Sequence, residues 1–124
     1  MLTAYLVEDS ATIRDVLVPT LAELGGVEVL AMAEGEREAL DWLSAHGEEA
    51  DLVILDLFLK DGSGLGVLAR REELGLHRVV VLTNYATADI RRRCLKLGAD
   101  ALFDKSTEFD ELLAYLRHAA ASES

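Results

Sequence analysis

Five short apolar segments, separated by stretches with helical periodicity, constrain the fold of this chain more than any other feature. The segments are AYLV (4–7), VEVLAMA (27–33), DLVILD (51–56), RVVVLT (78–83) and ALF (101–103). Three of them are nearly continuous and rich in β-branched residues, which is typical of strands buried on both faces. Between the segments, apolar residues recur at helical spacing in the stretches 13–24, 39–43, 65–74, 90–97 and 112–116.

The alternation of five strands with five helices predicts one doubly wound α/β domain, because strands joined by helices lie parallel and the helices cover both sheet faces. Ser10 is suited to begin the first helix, and Gly25–Gly26 and Gly98 to end the first and fourth. A chain of 124 residues fits a single domain. We expect that domain to span residues 1–120, with a frayed tail over residues 121–124. Because the chain ends with its fifth helix, we expect no attached output domain.

Charge and cysteine content narrow the functional classes. The formal net charge of −11 argues against general nucleic-acid binding, which requires a basic surface. No apolar run approaches the ~18 residues of a membrane helix, and the N-terminus lacks the basic start of a signal peptide. The single Cys94 cannot form an internal disulfide, which is consistent with a reducing compartment. We therefore expect a soluble, cytoplasmic protein that neither inserts into a membrane nor binds nucleic acid directly.

Chemically active side chains follow four of the five apolar segments. Glu8 and Asp9 follow the first, Asp56 ends the third, Thr83 ends the fourth, and Lys105 comes shortly after the fifth. Ligands bind beyond the carboxyl ends of parallel strands, so we expect these groups to meet. Three close carboxylates repel one another unless a cation lies between them. An all-oxygen site favours Mg²⁺, and a metal held by carboxylates commonly serves phosphoryl chemistry.

Four motifs, in this order, resemble the receiver domain of two-component response regulators of the chemotaxis-regulator type. VEDS (7–10) looks like the acidic pair of that family, and LVILDLFLKDGSGLGVL (52–68) like its phosphoacceptor strand and following loop. VVVLTNYA (79–86) resembles the switch-hydroxyl strand, and GADALFDKS (98–106) the lysine strand. The resemblance covers the whole chain. It implies a flavodoxin-like (βα)5 three-layer sandwich, with a parallel five-stranded sheet of order 2-1-3-4-5.

The resemblance also assigns roles at the site. Asp56 would accept a phosphoryl group from a phosphohistidine, forming an acyl phosphate. Asp9 and Asp56 would ligate Mg²⁺ directly, together with the backbone carbonyl of Phe58, while Glu8 would reach the metal through water. Lys105 would pair with one phosphoryl oxygen. The hydroxyl of Thr83 would move to bond another when the domain is activated.

The same resemblance implies the partners. The phosphoryl group would come from a sensor histidine kinase or a histidine phosphotransfer protein, and the signal would pass to a downstream target protein. The domain would catalyse only its own phosphorylation and dephosphorylation, so we do not expect an enzyme with a separate substrate. We expect a monomer or a weak dimer.

Four residues depart from the usual pattern of the family. Lys60 and Ser106 stand where proline is usual, and Asn84 replaces a small residue and is expected to narrow access of the phosphodonor. Leu102 replaces the aromatic residue whose rotation usually reports phosphorylation. Since a non-proline cis bond costs about 2.5–4 kcal/mol, we expect the Lys105–Ser106 peptide bond to be trans.

The output surface in this family conventionally includes the fourth helix, the fifth strand and the fifth helix. With Leu102 in place of the aromatic residue, we expect Tyr85 to couple the site to the fourth helix and to shield the phosphoryl group from water. Strand alternation places Phe103 on the opposite face from Leu102. The basic run RRRCLK (91–96) is either a docking patch for an acidic partner or an ordinary solvated face. Its candidate contact residues are Arg91, Arg92 and Arg93.

Two other functions remain open from the sequence. The chain could be a phosphorylation-independent adaptor that keeps the fold and uses the 91–96 surface for binding. It could also be a Mg²⁺-dependent phosphohydrolase that forms an aspartyl phosphate. Such enzymes usually carry a second acid two residues after the nucleophile, where this chain has Phe58, and they need a substrate cap.

Overall fold

The computed structural model describes residues 1–123, and its centre is a five-stranded sheet. The strands are β1 (Leu2–Val7), β2 (Val27–Ala33), β3 (Leu52–Leu55), β4 (Val79–Thr83) and β5 (Ala101–Asp104). The helices are α1 (Ala11–Gly25), α2 (Glu36–His46), α3 (Gly64–Ala69), α4 (Arg71–Leu74), α5 (Ala88–Lys96) and α6 (Phe109–Glu123). A 3₁₀ turn, Gly47–Glu49, follows α2.

The sheet has the order β2-β1-β3-β4-β5, and each pair of neighbouring strands is parallel. This confirms the predicted fold class and strand order. The register aligns the carboxyl ends of the strands, since Val7 of β1 lies opposite Leu55 of β3, and Thr83 of β4 lies opposite Asp104 of β5. The side chains that follow β1 and β3 therefore begin at the same level of the sheet.

Two apolar layers cover the two faces of the sheet, as expected for a doubly wound domain. One layer packs α1 and α6 against the sheet through residues such as Leu21 and Leu116. The other packs α2, α3 and α5 against it through Leu43, Leu68 and Cys94. Because β3 and β4 are buried along their whole length, their apolar sequences carry no hydrophobic alternation.

The ends of the first helix confirm the predicted start and stop signals. The Ser10 hydroxyl accepts a hydrogen bond from the Ile13 N–H, and Gly26 ends the helix in the left-handed conformation at φ 69°. The single helix expected over residues 65–74 is wrong in detail. It is divided into α3 and α4 at Arg70, whose φ of −101° and ψ of 14° leave the helical range. The Arg70 N–H bonds to the Val67 carbonyl, three residues back, and tightens the turn.

Near the C-terminus, α6 runs to Glu123, so residues 121–123 of the expected frayed tail are helical and Ser124 lies outside the described residues. Fraying there stays a prediction. The described residues contain no cis peptide bond, and the Lys105–Ser106 bond is therefore trans, as expected. No helix in the described part of the chain has the length and apolar character needed to cross a membrane.

A buried aromatic pair joins β1 to α2. The rings of Tyr5 and Trp42 stack with centroids 4.2 Å apart and planes 4° from parallel. Tyr5 is fully buried, and its hydroxyl has no hydrogen-bond partner among the described residues. Burial raises the pKa of the Tyr5 phenol, and the nearby charge of Glu38 raises it further. The phenol is therefore a neutral, apolar-packed group in the core.

Candidate functional site

Three carboxylates meet at the carboxyl edge of the sheet. Glu8 and Asp9 leave the end of β1, and Asp56 leaves the end of β3, with one carboxylate oxygen from each lying within 4.8 Å of the others. Glu8 and Asp56 are buried, and Asp9 is partly buried. The Asp56 N–H donates to the Val7 carbonyl at 3.0 Å, which locks the end of β3 against the end of β1. The structure thus brings together the three acids that the sequence places at strand ends.

Lys105 lies among these acids. Its Nζ is 2.5 Å from Glu8 Oε1 and 3.1 Å from Asp56 Oδ2. Burial alone would lower the pKa of this ammonium, but its hydrogen bond to Glu8 and the charges of Asp56 and Glu8 outweigh that effect and raise the pKa. The backbone N–H of Lys105 donates to the Thr83 carbonyl at 2.9 Å and fixes the turn after β5. Lys105 is therefore a charged group that links both buried acids.

Backbone N–H groups hold each acid as well. Ser10 donates to Glu8 Oε2 at 3.1 Å, and Lys60 donates to Asp9 Oδ2 at 2.9 Å. The Asp56 carboxylate accepts a longer hydrogen bond of 3.4 Å from the Phe58 N–H. Adjacent acids after β1 are thus tolerated because each accepts hydrogen bonds and one pairs with Lys105. In the sequence analysis, the adjacent acids were explained by a divalent cation between them, and these hydrogen bonds were not predicted.

The donor set fits a hard divalent cation. Three carboxylates with oxygens this close supply the ligand type that Mg²⁺ takes in proteins. Phe58, whose carbonyl is the expected additional ligand, lies two residues after Asp56 and pairs with Ser63 in an isolated antiparallel bridge. The path of this backbone is therefore fixed next to the acids.

Thr83 ends β4 and is fully buried. Its Oγ accepts a hydrogen bond of 3.2 Å from the Tyr85 N–H. The hydroxyl therefore contacts the loop that leads into α5. A displacement of Thr83 would break or shift this hydrogen bond and so move the loop. Movement of Thr83 toward a phosphoryl group stays a prediction.

An aromatic pair that the sequence analysis did not foresee lies beside the site. The rings of Phe58 and Tyr85 meet edge to face with centroids 4.7 Å apart, and both side chains are exposed. The two residues follow Asp56 and Thr83 by two positions each. The sequence offered no signal for this ring contact, because the register pairs Leu55 with Val81 and so does not align Asp56 with Thr83.

Leu102 and Phe103 pack on opposite faces of β5. Leu102 is partly buried against the apolar layer of α2, α3 and α5, whereas Phe103 packs against the layer of α1 and α6. The ring of Phe103 lies 5.6 Å from that of Tyr115. This confirms that the two side chains point to opposite faces. Phe103 is therefore no substitute for an aromatic residue at position 102.

The three arginines of α5 have separate environments. Arg91 is partly buried, pairs with Glu108 at 2.6 Å and donates to the Ala86 carbonyl at 3.1 Å. Its hydrogen bond is the main cause that lowers the pKa of Glu108. Arg92 is exposed and pairs with Asp89 at 2.6 Å, and Arg93 is exposed. Of the three arginines, only Arg92 and Arg93 are exposed to solvent. A docking role for the basic run 91–96 stays a prediction.

Comparison with known proteins identifies the family. The response regulator receiver domain matches residues 4–117, and the chain belongs to that family. Two relatives are the transcriptional regulatory protein DltR of Streptococcus agalactiae, 36% identical over 113 residues, and the transcription regulator BvgA of Bordetella pertussis, 32% identical over 115 residues. These matches cover 90% and 91% of this chain but 49% and 54% of the relatives. The chain spans about half the length of these curated relatives.

Solved structures agree with the fold. The signal receiver domain of a DNA-binding response regulator from Colwellia psychrerythraea has a TM-score of 0.83, with 24% identity and coverage of 98% of this chain and 99% of that one. A response regulator protein from Burkholderia pseudomallei, solved with a phosphorylated aspartic acid, a calcium ion and citrate, has a TM-score of 0.78 and 26% identity. The match covers all of this chain and 74% of that protein. The receiver family to which the chain belongs is a family of signalling phosphoacceptors in two-component systems.

Proposed function

We propose that this chain accepts a phosphoryl group on Asp56 and passes the signal on through protein contacts. The observation that carries the proposal is the meeting of Asp9, Asp56 and Lys105 at one edge of the sheet. The phosphorylated aspartic acid in the Burkholderia pseudomallei relative supports the same chemistry.

The donor is a phosphohistidine on a sensor histidine kinase or a histidine phosphotransfer protein. One oxygen of the Asp56 carboxylate attacks phosphorus and forms a P–O bond, while the P–N bond breaks and its electron pair returns to the imidazole. Water later attacks the same phosphorus. The P–O bond to Asp56 then breaks, inorganic phosphate leaves, and the carboxylate is restored. The protein is its own substrate and turns over no other.

Asp9, Asp56 and the Phe58 carbonyl would hold Mg²⁺, with Glu8 acting through a water molecule. When bound, the cation neutralises charge on the transferring oxygens. The pairing of Glu8 with Lys105 supports its indirect role, since the carboxylate already has a cationic partner at 2.5 Å.

Lys105 and Thr83 respond to the new charge. A phosphoryl group adds about −1.5 to −2 charge beside the Lys105 ammonium, which exchanges its bond to Asp56 for one to a phosphoryl oxygen. The Thr83 hydroxyl donates to another oxygen and draws the Tyr85 loop with it. That local change biases the surface of α5, β5 and α6 between two states.

The partners follow from charge and from the relatives. DltR and BvgA are named as transcription regulators, and this chain matches about half of each. We propose that this chain acts on a downstream protein and makes no direct nucleic-acid contact, because its net charge is −11.

Intact-mass spectrometry after incubation with acetyl phosphate and MgCl₂ tests the proposal. We expect the gain of one phosphoryl group in the wild type and in the control Asp61→Asn, whose carboxylate is exposed in the same loop. We expect no gain in Asp56→Asn or with EDTA. A gain that persists in Asp56→Asn would refute the assignment, and a wild type that gains nothing would favour the phosphorylation-independent adaptor.

A further inference from the structure

Glu36, at the start of α2, contacts the loop that follows the phosphoacceptor strand. Its carboxylate Oε1 accepts a hydrogen bond of 2.8 Å from the Ser63 N–H, and its own N–H donates to the Asp61 carbonyl at 3.0 Å. The residue is partly buried. It lies 27 residues from Ser63 in the chain, and its role is not explained by the catalytic groups described above.

The loop is shaped to receive this carboxylate. A Cβ atom at Gly62 would lie 2.5 Å from the Glu36 Cβ, and one at Gly66 would overlap the Glu36 carboxylate. Gly62 also has a φ of 76°, which other residues rarely adopt. Gly62 and Gly66 therefore leave the space that the Glu36 side chain fills.

Ser63 passes this contact on to the backbone beside Asp56. Its hydroxyl donates to the Leu57 carbonyl at 3.2 Å, and its backbone pairs with Phe58 in the antiparallel bridge. The Gly64 N–H also donates to the Leu57 carbonyl at 2.9 Å. On the other side of the loop, the Lys60 N–H is held by Asp9. The loop is thus fixed between Asp9 and Glu36, with Phe58 in between.

We propose that Glu36 is a positioning residue for the cation site, acting through Ser63 on the backbone of Phe58. This inference rests on the proposed Mg²⁺ site and adds a residue of α2 to its support. A side chain that orients a ligand without touching the metal commonly changes metal affinity 10–100-fold when removed. The contact that matters is the hydrogen bond to Ser63, because it fixes the end of the loop that carries the carbonyl ligand.

Four variants separate the hydrogen bond from the charge. Glu36→Ala removes both. Glu36→Asp keeps the charge at the N-terminus of α2, but its side chain is one methylene too short to reach Ser63. Glu36→Gln keeps the length and an oxygen that can accept. Glu38→Ala is the matched control, since Glu38 lies in the same first turn and holds the Glu34 N–H instead of the loop.

MgCl₂ titration of the full chain by calorimetry, with hydrogen exchange of the Ser63 amide in the absence of metal, tests the proposal. We expect Glu36→Ala and Glu36→Asp to bind Mg²⁺ about tenfold more weakly and to exchange the Ser63 amide faster. Glu36→Gln and Glu38→Ala should match the wild type in both measurements. If Glu36→Ala fails to fold, the contrast between Glu36→Asp and Glu36→Gln decides.

Wild-type affinity in Glu36→Asp, or weakening in Glu36→Gln or Glu38→Ala as large as in Glu36→Asp, would overturn the positioning role and leave the proposed function intact. A wild type that binds no Mg²⁺ would overturn the proposed metal site, and this inference with it.

Discussion

Phe58 and Tyr85 form an exposed aromatic pair in the loops that follow Asp56 and Thr83. Their rings are in edge-to-face contact at 4.7 Å, a geometry that holds aromatic side chains in place by about 0.5–1.5 kcal/mol. Neither ring is buried in the core. We propose that this pair hinders the approach of water to a phosphoryl group on Asp56.

We expect Tyr85→Ala to speed phosphoryl decay severalfold, because the remaining Phe58 ring loses its support and water reaches phosphorus more freely. Tyr85→Phe should keep the lifetime of the wild type, since the ring contact remains. Decay of the phosphorylated protein, followed by mass spectrometry, measures the effect. Leu102→Ala serves as the comparison and should leave decay unchanged. It should lower the free energy of unfolding by about 2 kcal/mol, the low end of the range for leucine-to-alanine substitutions in a core, because Leu102 is only partly buried. Unchanged decay in Tyr85→Ala would contradict the shielding role.

The buried hydroxyl of Tyr5 predicts a stabilising substitution. A polar group without a hydrogen-bond partner in the core costs about 1–3 kcal/mol, and Tyr5 has none among the described residues. Tyr5→Phe keeps the stack on Trp42 and should raise the free energy of unfolding by about 1 kcal/mol. Urea denaturation followed by Trp42 fluorescence measures it. A lower stability of Tyr5→Phe would show that the hydroxyl makes a favourable interaction.

Among the helices, α1 continues through a proline. Pro19 lies inside Ala11–Gly25, is exposed, and cannot donate to the Asp15 carbonyl. The Thr20 hydroxyl donates at 2.7 Å to the carbonyl of Val16, the residue that follows Asp15. An interior proline costs a helix about 3 kcal/mol, so packing of Leu17 and Leu21 in the core must hold this helix together.

Pro19→Ala should raise the free energy of unfolding by about 2 kcal/mol, because the recovered hydrogen bond exceeds the entropy that proline removes from the unfolded chain. Thermal unfolding at equal protein concentration measures the change. Thr20→Ala tests whether the hydroxyl contact contributes, and we expect a small loss. A Pro19→Ala variant that melts at or below the wild type would mean that the proline is already accommodated without cost.

At the scale of the whole molecule, we expect the acidic site to couple metal binding to stability. Three carboxylates lie together against one ammonium, and the unfolded chain has no such cluster. A cation that binds only the folded state stabilises it by about 2.7 kcal/mol at a hundred times its dissociation constant. MgCl₂ should therefore raise the melting temperature of the wild type.

Asp9→Asn should respond far less to Mg²⁺, and in EDTA it should be more stable than the wild type by roughly 1 kcal/mol, the scale of one like-charge contact at 4 Å in water. Asp61→Asn is the control and should behave as the wild type in both conditions. Differential scanning calorimetry with and without MgCl₂ measures both effects. An Asp9→Asn protein that melts lower than the wild type in EDTA would count against repulsion within the cluster.

The alternation of apolar and amphipathic segments was enough to predict the parallel sheet and the meeting of Asp9, Asp56 and Lys105, whereas the strand order came from the resemblance to the receiver family. Parallel strands have their carboxyl ends at one edge, so any residue that ends a strand is placed there by topology alone. The alternate sides of Leu102 and Phe103 followed in the same way from strand geometry. These predictions needed no knowledge of how distant segments pack.

The choice of partners at that edge required the folded molecule. Lys105 and Glu8 lie 97 residues apart in the chain, and Arg91 binds Glu108 rather than facing solvent with its neighbours. Glu36 reaches Ser63 only because α2 begins beside the loop after β3. Long side chains have many rotamers of similar energy. The packing of elements remote in sequence selects among them, and no local pattern of residues records that selection.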